Sequence, residues 1–376
     1  MDPREHALAS FAGKNVRPSP LPLLVVCALG VLGASPPAPP PERFLAGVSF
    51  AMTNDRARGY DSERAGQSLS ALSAQGVTAV SIMPFAFQRE PAAARLTYRL
   101  THAASETDGQ VRAAIRAART RGLTVLVKPH VWVPRSWPGA IEPPTEEAFR
   151  SWWDDYRTFL LEKARLAADE HADILCVGTE LSRIQRRPEW RALIPDVRRV
   201  FPGALVYAAN WDATDVPFAD LLDFCGVDLY EPLSSDPEAG DAALMAGARR
   251  VVARLDALAK RTGKPVLLTE AGFAARRACW VRPNEESGPL DVDAQSRATR
   301  ALLSALEASQ GVRGLFWWKV FSDGEPAGPA DGSFRVTGRP AERELFTFFA
   351  RRLAVKSTRT AIPLPRTAET GRRINK

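Results

Sequence analysis

The sequence lacks the cysteines that a disulfide framework or a zinc site would need. Only four cysteines occur among 376 residues, and none stands in a CxxC or Cys/His metal-binding spacing. Cys176 and Cys225 fall inside predicted strands, where a thiol is usually a plain buried side chain. No GxGxxG motif follows the first predicted strand, so a dinucleotide-binding fold has no support. We therefore expect neither a metal ion nor a cofactor.

The sequence also lacks a basic face for nucleic acid, although its formal net charge is +7. Residues 351–376 hold eight Lys or Arg and one Glu, which accounts for the whole excess, so the preceding 350 residues are neutral in sum. A basic tail of this kind is usually only solvated. We expect no nucleic-acid partner, and a disordered tail over residues 354–376.

The N-terminal apolar run, Leu21–Ala34, has 14 residues and is too short for a comfortable membrane span. It follows a basic segment and ends in small residues, an order typical of a secretory signal. We expect residues 1–35 to be a signal peptide or, if retained, a membrane anchor. The proline-rich residues 36–42 would form a stiff linker. The protein would then be secreted or held at the cell envelope, periplasmic or extracellular, and would touch a membrane only through its N-terminal segment.

Residues 43–353 alternate eight times between apolar, strand-like runs and helical segments. The predicted strands are Phe44–Thr53, Val77–Phe87, Leu123–Val131, Ala172–Thr179, Ala204–Asn210, Phe224–Tyr230, Pro265–Thr269 and Val312–Val320. The predicted helices cover about residues 61–75, 108–121, 146–170, a segment beginning at Pro188, 217–222, 241–262, 293–310 and 340–353. Near-continuous apolar runs are typical of parallel strands covered on both faces. Eight such units predict an α/β protein with a closed (β/α)8 TIM barrel as a single domain, which we expect to be a monomer.

Polar or aromatic residues stand at the C-terminal end of every predicted strand, where (β/α)8 barrels carry their active sites. They are Asn54, Gln88, Lys128, His130, Trp132, Glu180, Asn210, Trp211, Asp212, Asp228, Tyr230, Glu270, Trp318 and Lys319. The stretches around Glu180 and Glu270 match, because each runs from an apolar strand through Thr and Glu into a turn. Two carboxylates that converge on one cleft are what hydrolysis of a glycosidic bond needs.

Several of these residues have a structural alternative to a role in the site. Lys128 could bridge to either Glu instead of contacting a sugar, and His130 could be a histidine of the core. Trp211 and Trp318 could pack at the rim of the barrel. The hydroxyl of Tyr230 could bond to the backbone.

Six stretches within residues 44–350 resemble glycoside hydrolase family 113, the β-mannanase-like family. It belongs to the barrel clan with its acid/base on strand four and its nucleophile on strand seven. The stretches are Lys128-Pro129-His130, Gly178-Thr179-Glu180-Leu181, Ala209-Asn210-Trp211-Asp212, Asp228-Leu229-Tyr230, Thr269-Glu270-Ala271-Gly272-Phe273 and Phe316-Trp317-Trp318-Lys319. The two Thr-Glu stretches together carry most of the resemblance.

The resemblance implies a retaining, endo-β-mannanase-like glycoside hydrolase with Glu180 as acid/base and Glu270 as nucleophile. It also implies that Tyr230 holds the nucleophile and that Trp318 forms the floor under the reacting sugar. Most of the clan has Asn directly before the acid/base, in contact with the sugar 2-hydroxyl, but this sequence has Thr179. The candidate substrate contacts are Lys128, His130, Asn210, Trp211, Tyr230 and Trp318, of which Asn210 or His130 could replace the missing Asn.

Two other functions stay open at this point. A transglycosylase acting on an envelope glycan would use the same residues with a sugar in place of water. A non-catalytic barrel that only binds cell-envelope polysaccharide would keep the aromatic residues without needing both Glu180 and Glu270. Mannan is the substrate that the family resemblance implies, whereas the residues themselves fit any β-linked polysaccharide or oligosaccharide.

Overall fold

The computed structural model describes residues 43–53, 55–99 and 106–354. The predicted signal peptide or anchor, the linker over residues 36–42 and the tail after residue 354 lie outside the described residues, as does Asn54. Within the described ranges, no helix is both long enough and apolar enough to cross a membrane.

Eight parallel strands close into a barrel. They are β1 (Leu45–Ala51), β2 (Ala79–Ile82), β3 (Thr124–Val127), β4 (Ile174–Thr179), β5 (Ala204–Asn210), β6 (Phe224–Leu229), β7 (Val266–Ala271) and β8 (Val312–Phe321). Each strand pairs with the next along the chain, and β1 pairs with β8 to close the ring. The predicted (β/α)8 barrel is confirmed.

A helix follows each of the eight strands except β5. The helices are α1 (Glu63–Ala74), α2 (Asp108–Arg119), α3 (Glu146–Asp169), α4 (Trp190–Val200), α5 (Asp241–Thr262), α6 (Val292–Leu306) and α7 (Pro340–Ala354). The unit after β5 has a single 3₁₀ turn, Ala219–Leu221, where a short helix was expected. Local chemistry sets the helix ends. The hydroxyl of Thr145 accepts a 3.1 Å hydrogen bond from the Ala148 N–H at the start of α3, and Gly263 ends α5 with a left-handed φ of 68°.

Two of the predicted strands are divided in the structure. β2 and β3 stop before Pro84 and Pro129, because proline cannot donate a hydrogen bond to a neighbouring strand. Beyond the prolines the chain resumes as Phe85–Phe87 and His130–Trp132, which pair with each other in parallel and not with the barrel. The prediction of one continuous strand at each place is therefore wrong. The break creates a small second sheet beyond the C-terminal ends of β2 and β3.

Two apolar clusters hold the barrel together. Inward-facing side chains such as Leu126, Phe224 and Phe316 fill its interior. A larger cluster lies between the strands and the helices and includes Trp152 and Tyr156 of α3, whose rings stack 5.0 Å apart. The filled interior gives the polar groups at the C-terminal ends of the strands a solid apolar floor.

Candidate active site

Four ionisable side chains meet at the C-terminal ends of β3, β4, β6 and β7. Lys128 directly follows β3, Glu180 directly follows β4, and Asp228 and Glu270 lie near the ends of β6 and β7, where they are partners in register. The side chains of Lys128 and Asp228 are fully buried. The fold thus brings the two predicted glutamates into one cluster, although they are 90 positions apart in the sequence.

Lys128 lies at the centre of this cluster. Its ammonium donates to both carboxylate oxygens of Asp228, at 3.0 and 2.9 Å, and to Oε1 of Glu270 at 2.5 Å. Burial opposes the charge on Lys128, but the two carboxylates outweigh it and raise the lysine pKa. These bonds use the three ammonium protons, so Lys128 bridges carboxylates beneath the site and is not placed to contact a sugar.

Glu270 is held at both of its carboxylate oxygens. Oε1 accepts from Lys128, and Oε2 accepts a 2.7 Å hydrogen bond from the hydroxyl of Tyr230. Burial alone would raise the pKa of Glu270, but the charge of Lys128 and these two hydrogen bonds hold it below its ordinary value. Glu270 is therefore an ionised carboxylate with a fixed orientation.

Asp228 supports the cluster from the neighbouring strand. Besides its bonds to Lys128, its Oδ1 accepts a 2.7 Å hydrogen bond from the hydroxyl of Thr269. Burial, and then the charge of Glu270, raise the pKa of Asp228 to about 7, although Lys128 and Thr269 act in the opposite direction. Asp228 fixes the position of the lysine that orients Glu270.

Glu180 has a different environment. Its backbone has a φ of 53°, which is uncommon for a residue with a side chain, and its N–H is held by the carbonyl of Ala208 at 2.8 Å. Among the described residues, no group donates a hydrogen bond to its half-buried carboxyl. Burial, and then the charges of Asp228 and Glu270, raise the pKa of Glu180 well above its ordinary value.

The cluster contains three carboxyl groups and one ammonium. With every group ionised it would carry two uncompensated negative charges in a largely buried site, so repulsion favours retention of a proton. Within the described ranges Glu180 has no hydrogen-bond donor to stabilise its anion, whereas Glu270 has two. The pKa of Glu180 is thus raised while that of Glu270 is lowered, and pKa values pushed apart in this way are the pattern of an acid and its partner nucleophile or base.

The other predicted contacts lie around this cluster and are partly exposed. The ring of His130 is neutral near pH 7, because burial and then the charge of Lys128 lower its pKa to about 4. The amide of Asn210 donates to Oδ1 of Asp212 at 2.7 Å. Trp211 and Trp318 pack against the small apolar cluster that contains Tyr230.

Thr179 occupies the position at which most of the clan has Asn. Its side chain is buried, and its hydroxyl donates a 3.0 Å hydrogen bond to the carbonyl of Pro129. The hydroxyl thus ties β4 to the break after β3 instead of facing the cleft. His130 and Asn210, the two predicted replacements for that Asn, are partly exposed.

Residues 48–337 match Glycoside Hydrolase Family 113. The chain belongs to this family. The match covers more than half of the sequence and confirms the resemblance seen in the six motif stretches. The protein is therefore a glycoside hydrolase. A comparison with curated proteins gives no significant match.

Solved structures of family 113 enzymes share the fold of this chain. A GH113 β-1,4-mannanase, solved as a complex, is similar with a TM-score of 0.73 and 22% identity over 82% of this chain and 99% of that one. A GH113 β-mannanase from Alicyclobacillus acidocaldarius in complex with ManMIm gives a TM-score of 0.73 and 23% identity, covering 82% and 98% of the two chains. A family 5 mannosidase from Rhizomucor miehei is more distant, with a TM-score of 0.58 and 12% identity over 83% and 94%.

Two residues of this family 113 site were given no role by the sequence. Asp228 stands at a strand end like many other polar residues, and only the fold shows that it shares Lys128 with Glu270. Phe334 lies in the loop after β8, and its ring meets that of Tyr230 edge-on at 6.0 Å between centroids. Phe334 has no signal in the sequence, since the loop around it follows neither the strand nor the helix pattern.

No group of three or more His, Cys, Asp or Glu side chains in the described ranges is arranged to hold a metal ion. Cys176, Cys225 and Cys279 are buried free thiols. For Cys176 and Cys225 this agrees with the prediction of plain buried side chains.

Proposed function

We propose that this chain is a retaining β-mannanase that hydrolyses β-1,4-linked mannan by double displacement, with Glu270 as nucleophile and Glu180 as acid/base. The observation that supports this most is the opposite environment of the two glutamates within one cluster. Glu270 accepts two hydrogen bonds and has a lowered pKa, whereas Glu180 accepts none from the described residues and has a raised pKa. Retention requires the two carboxyl groups to lie about 5–5.5 Å apart, so that the nucleophile reaches the sugar directly.

The first step forms a covalent ester. An oxygen of Glu270 attacks the anomeric carbon while the bond from that carbon to the leaving oxygen breaks. Glu180 gives its proton to the leaving oxygen, so the departing sugar ends in a neutral hydroxyl. Each oxygen of Glu270 accepts one hydrogen bond and keeps a further lone pair for the attack.

The second step releases the sugar. Glu180, now ionised, takes a proton from water as the water oxygen attacks the anomeric carbon, and the ester bond to Glu270 breaks. Two inversions give net retention. Lys128 and Tyr230 stabilise the carboxylate form of Glu270, so their contacts strengthen as the ester breaks, and they make Glu270 a better leaving group in this step.

Mannan is the proposed substrate because solved family 113 structures with the same fold are described as β-1,4-mannanases. Trp318 and Trp211 are partly exposed beside Tyr230 and offer flat apolar faces to the reacting sugar. No observation on the chain favours a transglycosylase or a non-catalytic binding barrel over this reaction.

Removing each glutamate tests the two roles separately. Glu270→Ala should abolish turnover of every glycoside, because no ester can form. Glu180→Ala should still form the ester from an activated aryl β-mannoside, whose leaving group needs no protonation, and azide should then restore its turnover because azide needs no general base. Product analysis by NMR would show a β-mannosyl azide.

The control is Glu286→Ala, which removes an exposed glutamate in the loop after β7 and should leave turnover unchanged. All three variants should keep the circular dichroism of the parent. Azide rescue of Glu270→Ala with an inert Glu180→Ala would exchange the two roles. Full activity in both glutamate variants would refute the two-carboxylate mechanism, and a parent enzyme that cleaves glucan or xylan but not mannan would refute the substrate.

A further inference from the structure

The small sheet beyond the barrel has two unlike faces. Its strands pair Phe85 with His130 and Phe87 with Trp132, so these four side chains share one face. The alternating residues Ala86 and Val131 are 0% and 2% exposed and pack into the protein. The first face, which carries the four paired side chains, consists only of aromatic rings, all at least partly exposed. We call it the aromatic face, made of Phe85, Phe87, His130 and Trp132.

The aromatic face begins at the catalytic cluster. His130 follows Lys128 by two positions, close enough that the charges of Lys128 and Glu270 both act on its ring. The His130 ring lies against Phe85, with 5.1 Å between the ring centroids. The inner end of the face is therefore part of the active-site cleft.

The outer end of the aromatic face reaches solvent. Trp132 lies two residues beyond His130 on the same side of the strand, a step of about 7 Å. It is 58% exposed, the highest value among the large apolar side chains of the described ranges. A row of rings that leads from a catalytic cleft into solvent offers an elongated ligand an extended apolar surface.

The chemistry of the rings fits a sugar. A pyranose ring has apolar C–H faces and a polar edge of hydroxyls, and a tryptophan likewise joins a flat apolar ring to one N–H donor. We propose that the aromatic face is an additional subsite, in which Trp132 stacks against a pyranose unit of the substrate that is not itself cleaved. This inference rests on the proposed function and adds a contact through which activity depends on the length of the substrate.

The test compares kcat/KM across a series of β-1,4-linked oligosaccharides of two to six units in the parent protein and in Trp132→Ala. The series uses mannose units, or the sugar that the parent cleaves best. For the parent, kcat/KM should rise with length until every subsite is filled. The kcat/KM of the parent divided by that of Trp132→Ala should grow by about tenfold between the shortest cleaved substrate and the hexasaccharide. This is the scale of one lost aromatic stacking contact. Trp132→Phe, which keeps a flat ring, should recover most of the difference.

Trp137→Ala is the matched control. Trp137 is in the same loop and is 42% exposed, but it packs on Gly139 and is not part of the aromatic face. The kcat/KM of the parent divided by that of Trp137→Ala should stay constant with substrate length. Size-exclusion chromatography with light scattering on the same proteins tests whether the face binds a second copy of the chain instead.

Each outcome decides one question. A ratio for Trp132→Ala that does not change with length, or that changes equally for Trp137→Ala, refutes the subsite and leaves the proposed hydrolysis standing. A dimer that depends on Trp132 also refutes it, because the face would then belong to an interface. A parent protein that cleaves no β-linked oligosaccharide refutes the proposed function, and the subsite with it.

Discussion

Replacing Tyr230 with Phe removes one hydroxyl from the site and little else. That hydroxyl donates a 2.7 Å hydrogen bond to Oε2 of Glu270, and both residues are buried. The ring of Tyr230 packs edge-on against Phe334, and phenylalanine keeps this contact. The variant therefore isolates the hydrogen bond.

The size of the effect follows from the charge on the acceptor. A hydrogen bond to an ionised group contributes about 1.5–3 kcal/mol, which corresponds to about one to two pKa units. This bond helps to hold the pKa of Glu270 below its ordinary value, so its loss moves that pKa upward. The nucleophile must be ionised to attack. As the pH is lowered, the variant should therefore lose activity at a higher pH than the parent does.

The assay is the pH dependence of kcat/KM on a soluble mannooligosaccharide, whose acid limb reports the nucleophile of the free enzyme. In Tyr230→Phe we expect the acid limb to move up by about one to two pH units. Tyr207→Phe is the control, because Tyr207 is also a buried tyrosine, but its hydroxyl makes no hydrogen bond to Glu270. An acid limb that stays in place or moves down in Tyr230→Phe would refute the role of this hydrogen bond, as would an equal shift in Tyr207→Phe.

Two further predictions concern stability and export. Lys128→Met leaves two buried carboxylates without their cation and should lower the free energy of unfolding by about 3–5 kcal/mol near pH 8. The loss of unfolding free energy should be smaller near pH 6, because Asp228, with a pKa of about 7, is then mostly protonated. Urea titrations of the parent and the variant at both pH values measure this loss. An equal loss at both would contradict the proposed charge balance. We also propose that residues 1–35 direct export, which fractionation of the host and N-terminal sequencing of the mature protein can check; intact protein in the cytosol would overturn it.

The fold could be predicted from the sequence because its signals are local and repeated. Apolar runs recur in eight successive units, and helix caps such as Thr145 and helix-ending glycines such as Gly263 mark several of the helices between them. This repetition favours a closed barrel. The divided strands could not be predicted from apolar content, which continues through Pro84 and Pro129. Those prolines were the available signal, since a proline inside an apparent central strand argues against an unbroken strand.

The site could be predicted only in part. The barrel rule places every residue at a strand end near the cleft, which is enough to bring Glu180 and Glu270 together. It does not give the direction of each side chain. Lys128 and Asp228 stand at such ends, yet both turn inward and bond to each other across 100 positions of sequence. Which groups face the sugar and which lie beneath it depends on packing that no local pattern records.

The charge balance of the cluster also argues against exchanging the two catalytic roles. If Glu180 were the nucleophile, it would have to be ionised without a hydrogen-bond donor from the part of the chain that the structure describes, while Glu270 would carry the proton beside Lys128 and Tyr230. The single ammonium would then neutralise Asp228 alone, and the contact from Lys128 to Glu270 would lose its ionic character. A hydrogen bond to a charged group is worth about 1.5–3 kcal/mol against about 1 kcal/mol for a neutral one, and Glu270 would forfeit this difference at two bonds. One lysine shared between Asp228 of β6 and Glu270 of β7 thus supports the proposed roles, in which Glu270 attacks and Glu180 donates the proton.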